Sequence, residues 1–247
     1  MIAIISDIHG NQEALDAVLD SARQKGASRV ICLGDIVGYG PDSISCLTRA
    51  TRWDVVLAGT AELAMTGSGE TIFPPTLQSH FDHVRDQIAA VTGGSLMMEF
   101  LSQLPLSHLE FGCTFAHATP NYPGQYIFPE HIYEPAFLDQ IADAFEHTMF
   151  CGSSHIPGVF RCQQEAWTYT QPRSGDTFEV ASAGRLICTV GSVGQPRDGD
   201  QRACYVLFDG RRFTFHRIGY DVETTMRKIK DDPDIHDMHG NRLLRGC

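Results

Sequence analysis

The chain has 247 residues, enough to bury one substantial core, and its 43% hydrophobic and 20% charged composition is that of a folded globular protein. A net charge of −11 excludes tight nonspecific binding to a nucleic-acid backbone, which needs clustered lysine and arginine; a small phosphorylated partner stays open, because a bound divalent metal inverts the local field. No apolar run approaches the ~18–20 residues of a membrane span, and no basic n-region precedes the apolar residues at Ile2, so the expected compartment is the cytoplasm.

The first sixty residues alternate between strand and helix. Ile2–Ile5 is a short buried strand, and Ala14, Leu15, Val18, Leu19 and Ala22 form a helical stripe that Asn11 can cap and Gly26 can end. Val30–Leu33 follows as a strand, Ser43–Arg49 as a helix and Val55–Ala58 as a third strand. This order predicts a parallel sheet with right-handed crossovers, whose ligand groups lie beyond the carboxyl ends of its strands.

Residues 66–75 read as a loop, Thr76–Ala90 and Ser95–Gln103 as helices, and Leu109–Ala116 as strands broken at Gly112. Pro120–Glu134 is a long loop rich in proline and aromatics; Tyr122, Tyr126, Phe128 and Tyr133 read chiefly as packing anchors, with a wall for substrate as the alternative. A helix over Ala136–Phe145 and a buried strand at Thr148–Cys151 come next. From Val159 short alternating runs (Trp167–Thr170, Thr177–Val180, Leu186–Val190, Ala203–Phe208, Arg212–Ile218) predict antiparallel sheet. No linker composition intervenes, so residues 1–220 read as one domain of two packed sheets, followed by a polar tail, 221–247, with at most one short helix. The eight cysteines form no CxxC, and several sit within apolar runs, as in VICLG and LICTV; they read as free thiols of a reducing compartment.

Polar groups recur where apolar strands end. IAIISDIHGN delivers Asp7 and His9, two residues apart and so directed to one side. VICLGDIVGYG delivers Asp35, CTFAHATP delivers His117, and TMFCGSSHIP delivers Ser153, Ser154 and His155. Any one of these reads as a capping or hydrogen-bonded structural residue. Two aspartates and three histidines at successive strand ends form an oxygen-and-nitrogen donor set suited to Mn²⁺, Fe or Zn²⁺. The third strand ends differently, in GTAE (Gly59–Glu62), which brings a hydroxyl and a methyl.

SDIHGN, GDIVGYGPD, the turn at Gly59, His117, and GSSHIP followed by VGSVGQPRDGD resemble the calcineurin-like metallophosphoesterase superfamily, and within it the small bacterial phosphoesterases. The resemblance implies an α/β fold, a four-layer αββα sandwich of two mixed sheets flanked by helices, and a two-metal centre that hydrolyses a phosphomonoester or phosphodiester of a small molecule. Carried onto this chain, the first metal site is Asp7, His9, Asp35 and His155. The second shares Asp35 and uses His117, but its remaining ligands, an Asn and a His in the family, fall on Thr60 and Ser153. The family's leaving-group acid falls on Ala61. The resemblance therefore implies one intact divalent site, an eroded second, and either weakened hydrolysis or a pseudoenzyme that binds metal and a phosphorylated ligand or protein. His9 and Glu62 are the remaining candidates for proton transfer.

Weaker signals lie elsewhere in the chain. Asn11 and Arg197 are candidate substrate contacts, and Gly191–Asp200 either presents amides to a phosphate or is a glycine-rich hairpin. His80 and His83 share a helical face that reads as solvated. The DMHGN of the tail, Asp237 to Asn241, echoes DIHGN at Asp7–Asn11 without a preceding strand and reads as coincidence.

Overall fold

A computed structural model describes residues 1–68, 75–120, 122 and 124–247. Its first half begins as the alternation predicts, with β1 (Ile2–Ile5), α1 (Gln12–Gln24), β2 (Arg29–Cys32), α2 (Ser43–Ala50) and β3 (Val55–Val56), the three strands parallel. The Asn11 side chain accepts from the amide of Ala14 and starts α1. Three helices follow, α3 (Thr60–Thr66), α4 (Pro75–Ala90) and α5 (Gly94–Ser102), then the hairpin of β4 (Ser107–Glu110) and β5 (Cys113–Ala116). After a 3-10 turn at Pro129–Tyr133 come α6 (Pro135–Ala142), β6 (Thr148–Cys151), β7 (Pro157–Gln163), β8 (Ala166–Thr170) and β9 (Thr177–Glu179). The chain ends with β10 (Arg185–Val190), β11 (Ala203–Phe208), β12 (Arg212–Ile218), α7 (Val222–Asp231) and α8 (Met238–Arg245).

The strands form two mixed six-stranded sheets, ordered β3-β2-β1-β11-β12-β9 and β4-β5-β6-β10-β7-β8. Side-chain alternation decides how they stack. In β1, Ile2 and Ile4 face the second sheet, joining Phe115, Phe150, Val206, Phe208 and Phe213, while Ala3 and Ile5 face Leu15 and Val18 of α1. The outer side of the second sheet carries Met149, Phe160 and Ile187 against Leu138 and Ile141 of α6. Helices, sheet, sheet and helix thus make the four αββα layers that the resemblance implies.

Three expectations change. The late strands are not uniformly antiparallel: β10 lies between β6 and β7 in its sheet and pairs parallel with the first and antiparallel with the second. The tail holds two helices where at most one was expected. Its sequence hides them because only Val222, Ile229, Ile235 and Leu243 gather into a small core; burying each of the last three contributes about 1.5–3 kcal/mol. Lys228 completes the docking, 2.5 Å from Glu13 and 2.8 Å from Asp42. The predicted loop at 66–75 falls largely on residues 69–74, outside the described residues, while Thr66 closes α3 and Pro75 opens α4.

All eight cysteines are free; six are buried, Cys162 is half-buried and Cys247 is exposed. Among the described residues, no helix is long and apolar enough to cross a membrane.

Candidate metal centre

The carboxyl ends of β1, β2, β5 and β6 meet at one rim. Asp7, His9, Asp35 and His155 arrive there buried, each offering a ligand atom within 4.8 Å of the others. The backbone is bent to bring them together. All four adopt left-handed conformations, with φ of 56°, 48°, 54° and 60° in that order. Such values are uncommon for residues other than glycine, and strain of this kind collects at functional sites.

The histidines are oriented from behind. Nδ1 of His9 donates to the Val37 carbonyl at 3.2 Å, Nδ1 of His155 to the Gln195 carbonyl at 2.6 Å, and Nδ1 of His117 to the Leu33 carbonyl at 3.2 Å. The rings of His9 and His155 are thereby fixed in the tautomer that turns an Nε2 lone pair inward, the arrangement that metal-ligating histidines use, while Nε2 of His117 faces Asp35. Nε2 of His9 and Nε2 of His155 then face each other at 3.2 Å. Asp35 Oδ2 stands 3.6 Å from His9 Nε2 and 3.4 Å from His117 Nε2, and Asp7 Oδ1 stands 3.3 Å from His155 Nε2. Asp7 Oδ1, His117 Nε2 and Ser153 Oγ are buried without a hydrogen-bond partner. Opposed lone pairs and orphaned buried acceptors are what a cation resolves, so the residues present fit a divalent metal.

The electrostatics agree. Burial pushes Asp7 up to about 7, with His117 opposing and Asp35 adding to the rise. Burial pushes His9 down to about 4 and His155 well below its ordinary range. His117 behaves oppositely: burial lowers it, but the adjacent Asp35 prevails and raises it to about 9. Asp35 in turn is held below the ordinary carboxylate range against burial, by His117, by His9 and by the Ala61 amide.

The GTAE segment braces this centre. The Ala61 amide donates to Asp35 Oδ1 at 2.7 Å, and the Thr60 hydroxyl lies 3.3 Å and 3.2 Å from the two Asp35 oxygens. Glu62 is buried and accepts from the amides of Asp35 at 2.7 Å, Ile36 at 2.8 Å and Gly59 at 2.8 Å. Its carboxylate thus positions the loop that carries Asp35, and proton transfer would break those bonds. Gly59 is required for the close approach, since a Cβ there would lie 2.3 Å from Asp35 Oδ1. The Ser153 amide donates to Asp7 Oδ2 at 3.2 Å.

The segment after β10 closes the other side. Val193 and Gly194 donate to the carbonyls of Ser6 and Asp7 at 3.0 Å and 2.9 Å, and Gln195 supplies the carbonyl behind His155. Arg197 follows, its guanidinium 5.9 Å from the centre of the Tyr39 ring and bonded to Gln195 Oε1 at 2.8 Å, with its buried Nε unpartnered. Asn11 is buried and fully engaged: its amide donates to the Gly194 carbonyl at 2.9 Å, while its oxygen accepts from Ala14 at 3.1 Å and Thr225 at 3.2 Å. It supports the rim from below.

Two features escaped the sequence. His239 of α8 lies edge-on to Tyr39, ring centres 5.0 Å apart, and shares with His9, Tyr39 and Gln195 a pocket beside the centre; the DMHGN echo is no second strand end, yet its histidine reaches the rim. The face of α4 is not solvated as expected, because the tail covers it: His80 is 3% exposed. In the aromatic segment, Tyr122 and Tyr133 are 66% and 86% exposed, while Tyr126 and Phe128 stack at 5.7 Å.

Comparison with known proteins agrees with this geometry. Residues 1–212 match the calcineurin-like phosphoesterase superfamily domain. The uncharacterized protein MJ0912 of Methanocaldococcus jannaschii is 31% identical, covering 100% of this chain and 98% of that protein. The crystal structure of a metallophosphoesterase from Sphaerobacter thermophilus is 30% identical with a TM-score of 0.83, covering 100% of this chain and 99% of that one. The hypothetical protein PH1004 of Pyrococcus horikoshii shares the fold at 19% identity with a TM-score of 0.74, over 100% and 99% of the two chains. The chain carrying this rim of aspartates and histidines belongs to the calcineurin-like phosphoesterase superfamily.

Proposed function

We propose that the protein is a metal-dependent phosphoesterase acting on a small-molecule phosphomonoester or phosphodiester, with one intact divalent site at Asp7, His9, Asp35 and His155. The observation that carries this reading is the pair of opposed Nε2 atoms of His9 and His155 beside the orphaned Asp7 oxygen. Two imidazoles and two carboxylates suit Mn²⁺, Fe or Zn²⁺. Such an ion, when bound, acts as a Lewis acid and lowers the pKa of water, supplying a nucleophile near neutral pH.

The chain's own residues set the limits of that chemistry. Asp35 lies between His9 and His117, so a second ion would share it with His117; Thr60 gives its hydroxyl to Asp35, and Ser153 offers one oxygen, which makes that site weak. Arg197 brings a fixed positive charge to the mouth of the rim for a phosphate oxygen. Ala61 offers no proton to a departing alkoxide, so the favoured substrates have leaving groups already stable as anions; His9, turned inward and pushed down by burial, stays neutral and binds rather than protonates. The free buried thiols support a reducing compartment, the cytoplasm. A second reading, a pseudoenzyme that binds metal and a phosphorylated ligand without turnover, is favoured by the methyl of Ala61 where an acid would be needed.

Hydrolysis of activated phosphomonoesters and phosphodiesters under Mn²⁺ titration separates the two. Turnover that rises with Mn²⁺ and disappears in Asp35→Ala supports the enzyme. Ligand binding without turnover at saturating Mn²⁺ supports the pseudoenzyme.

A further inference from the structure

Helix α4 carries two histidines that the rim does not use. His80 is 3% exposed, and neither of its ring nitrogens makes a hydrogen bond of full geometry, the backbone of Asp234 offering it only a weak contact. A buried polar group left without a good partner is destabilising. His83, one turn further along the same face, has its ring centre 6.5 Å from that of His80. Opposite them runs the segment between α7 and α8, where Asp232 and Asp234 flank Pro233. His83 Nδ1 lies 3.2 Å from Asp234 Oδ2, and His83 Nε2 lies 3.7 Å from Asp232 Oδ2. His83, Asp232 and Asp234 each offer a ligand atom within 4.8 Å of the others.

We propose that His80, His83, Asp232 and Asp234 form a second divalent-metal site, separate from the rim, that fastens the C-terminal helical hairpin to α4. The contacts with the two carboxylates account for His83 but leave His80 buried beside them with only a weak contact to the Asp234 backbone. A metal accounts for both histidines. Two imidazoles and two carboxylates at ~2.0–2.2 Å suit tetrahedral Zn²⁺, and binding needs three adjustments, the first of which brings Asp234 from beside His83 Nδ1 round to Nε2. The His80 ring moves toward His83, and the Gln87 amide, 2.7 Å from His83 Nε2, gives up that nitrogen. The loop is already shaped for this, because the Asp234 amide donates to Asp232 Oδ1 at 3.0 Å.

The site has a consequence for the rim. It lies in the segment that leads into α8, and α8 places His239 against Tyr39, whose ring centre is 4.7 Å from that of His9. Zinc here would immobilise one wall of the pocket beside the metal centre without entering it. The inference is independent of whether the rim hydrolyses anything.

The test uses the full chain, stripped of metal and titrated with Zn²⁺, in an Asp35→Ala background that weakens the rim; any zinc the rim still holds is insensitive to changes at His80 or Asp234. One zinc equivalent is expected at the proposed site. Its affinity should fall at least tenfold on adding either His80→Gln or Asp234→Asn, and amide exchange across residues 222–245 should slow only when zinc is bound. Absence of that equivalent, or affinity unchanged by both added substitutions, overturns the proposal, as does exchange indifferent to zinc. Should Asp35→Ala fail to fold, zinc is counted in the wild type and in His80→Gln. The substituted protein should hold one equivalent fewer; equal counts at equal affinity overturn the proposal.

Discussion

His9 Nε2 and His155 Nε2 meet at 3.2 Å although their residues are 146 apart in the chain, each ring locked by a backbone carbonyl behind it. Two lone pairs held face to face in a buried site repel unless a cation lies between them. Metal therefore stabilises the folded chain: a ligand at a hundredfold excess over its Kd contributes about 2.7 kcal/mol. Thermal unfolding with EDTA and with Mn²⁺ measures this gain, which should vanish in His155→Ala.

The metal-free protein has a predicted acid limb. Burial holds the folded pKa of His9 at about 4 against an ordinary value of 6.5, and that of His239 also at about 4. Below pH 6.5 the unfolded imidazoles take up protons that the folded ones refuse, so stability falls as pH drops from 6.5 through about 4. His117, raised to about 9, has the opposite sign: its contribution is full below 6.5 and is lost as pH rises through about 9. Asp7, raised to about 7 from 3.8, opposes the acid limb, since its contribution is full below 3.8 and is lost as pH rises through about 7. Comparing melting temperature against pH in EDTA for the wild type and His239→Gln should isolate the share of His239 in the acid limb.

Glu62 supports the centre through three amides. A glutamine there keeps one acceptor oxygen and loses the charge, leaving at least one buried N–H unpaired. Glu62→Gln should cost about 1–3 kcal/mol in urea unfolding and weaken metal binding through the displaced Asp35. Unchanged stability and affinity would mean that the loop is held by other means.

Installing the residues that the family resemblance implies tests the proposed reading of an eroded rim. Thr60→Asn, Ala61→His and Ser153→His together supply a leaving-group acid and two ligands, and a general acid alone contributes ~10²–10⁴ in rate. Hydrolysis of an unactivated ester should rise by at least that factor. No rise would show that the pocket has diverged beyond these three positions.

Ile229 is the most deeply buried member of the tail's small core. Ile229→Ala should cost ~2–5 kcal/mol if the hairpin unfolds with the rest of the chain. If the hairpin instead unfolds alone, amide exchange over 222–245 should accelerate while the sheets stay protected.

The rim was legible in the sequence because each of its parts is local: a short apolar strand, then Asp-x-His, Asp or Ser-Ser-His. The same locality placed β1, β6, β11 and β12 at their observed bounds. What the sequence concealed depends on partners far along the chain. His80 and His83 look like a solvated face until Asp232 and Asp234 arrive about 150 residues later to cover them. His239 has no strand before it, so nothing local reveals that α8 carries it to Tyr39. Asn11 and Glu62 were readable as polar residues near the centre; that their side chains are consumed by backbone groups is a property of the folded loops.

Asp7, His9, Asp35 and His155 form a buried group able to hold a metal ion, and anomalous scattering from crystals grown with Mn²⁺ tests whether they do. A strong peak should lie enclosed by those four side chains, with a weaker one or none between Asp35 and His117. No peak among the four at saturating Mn²⁺, repeated with Fe²⁺ and Zn²⁺, would contradict the assignment.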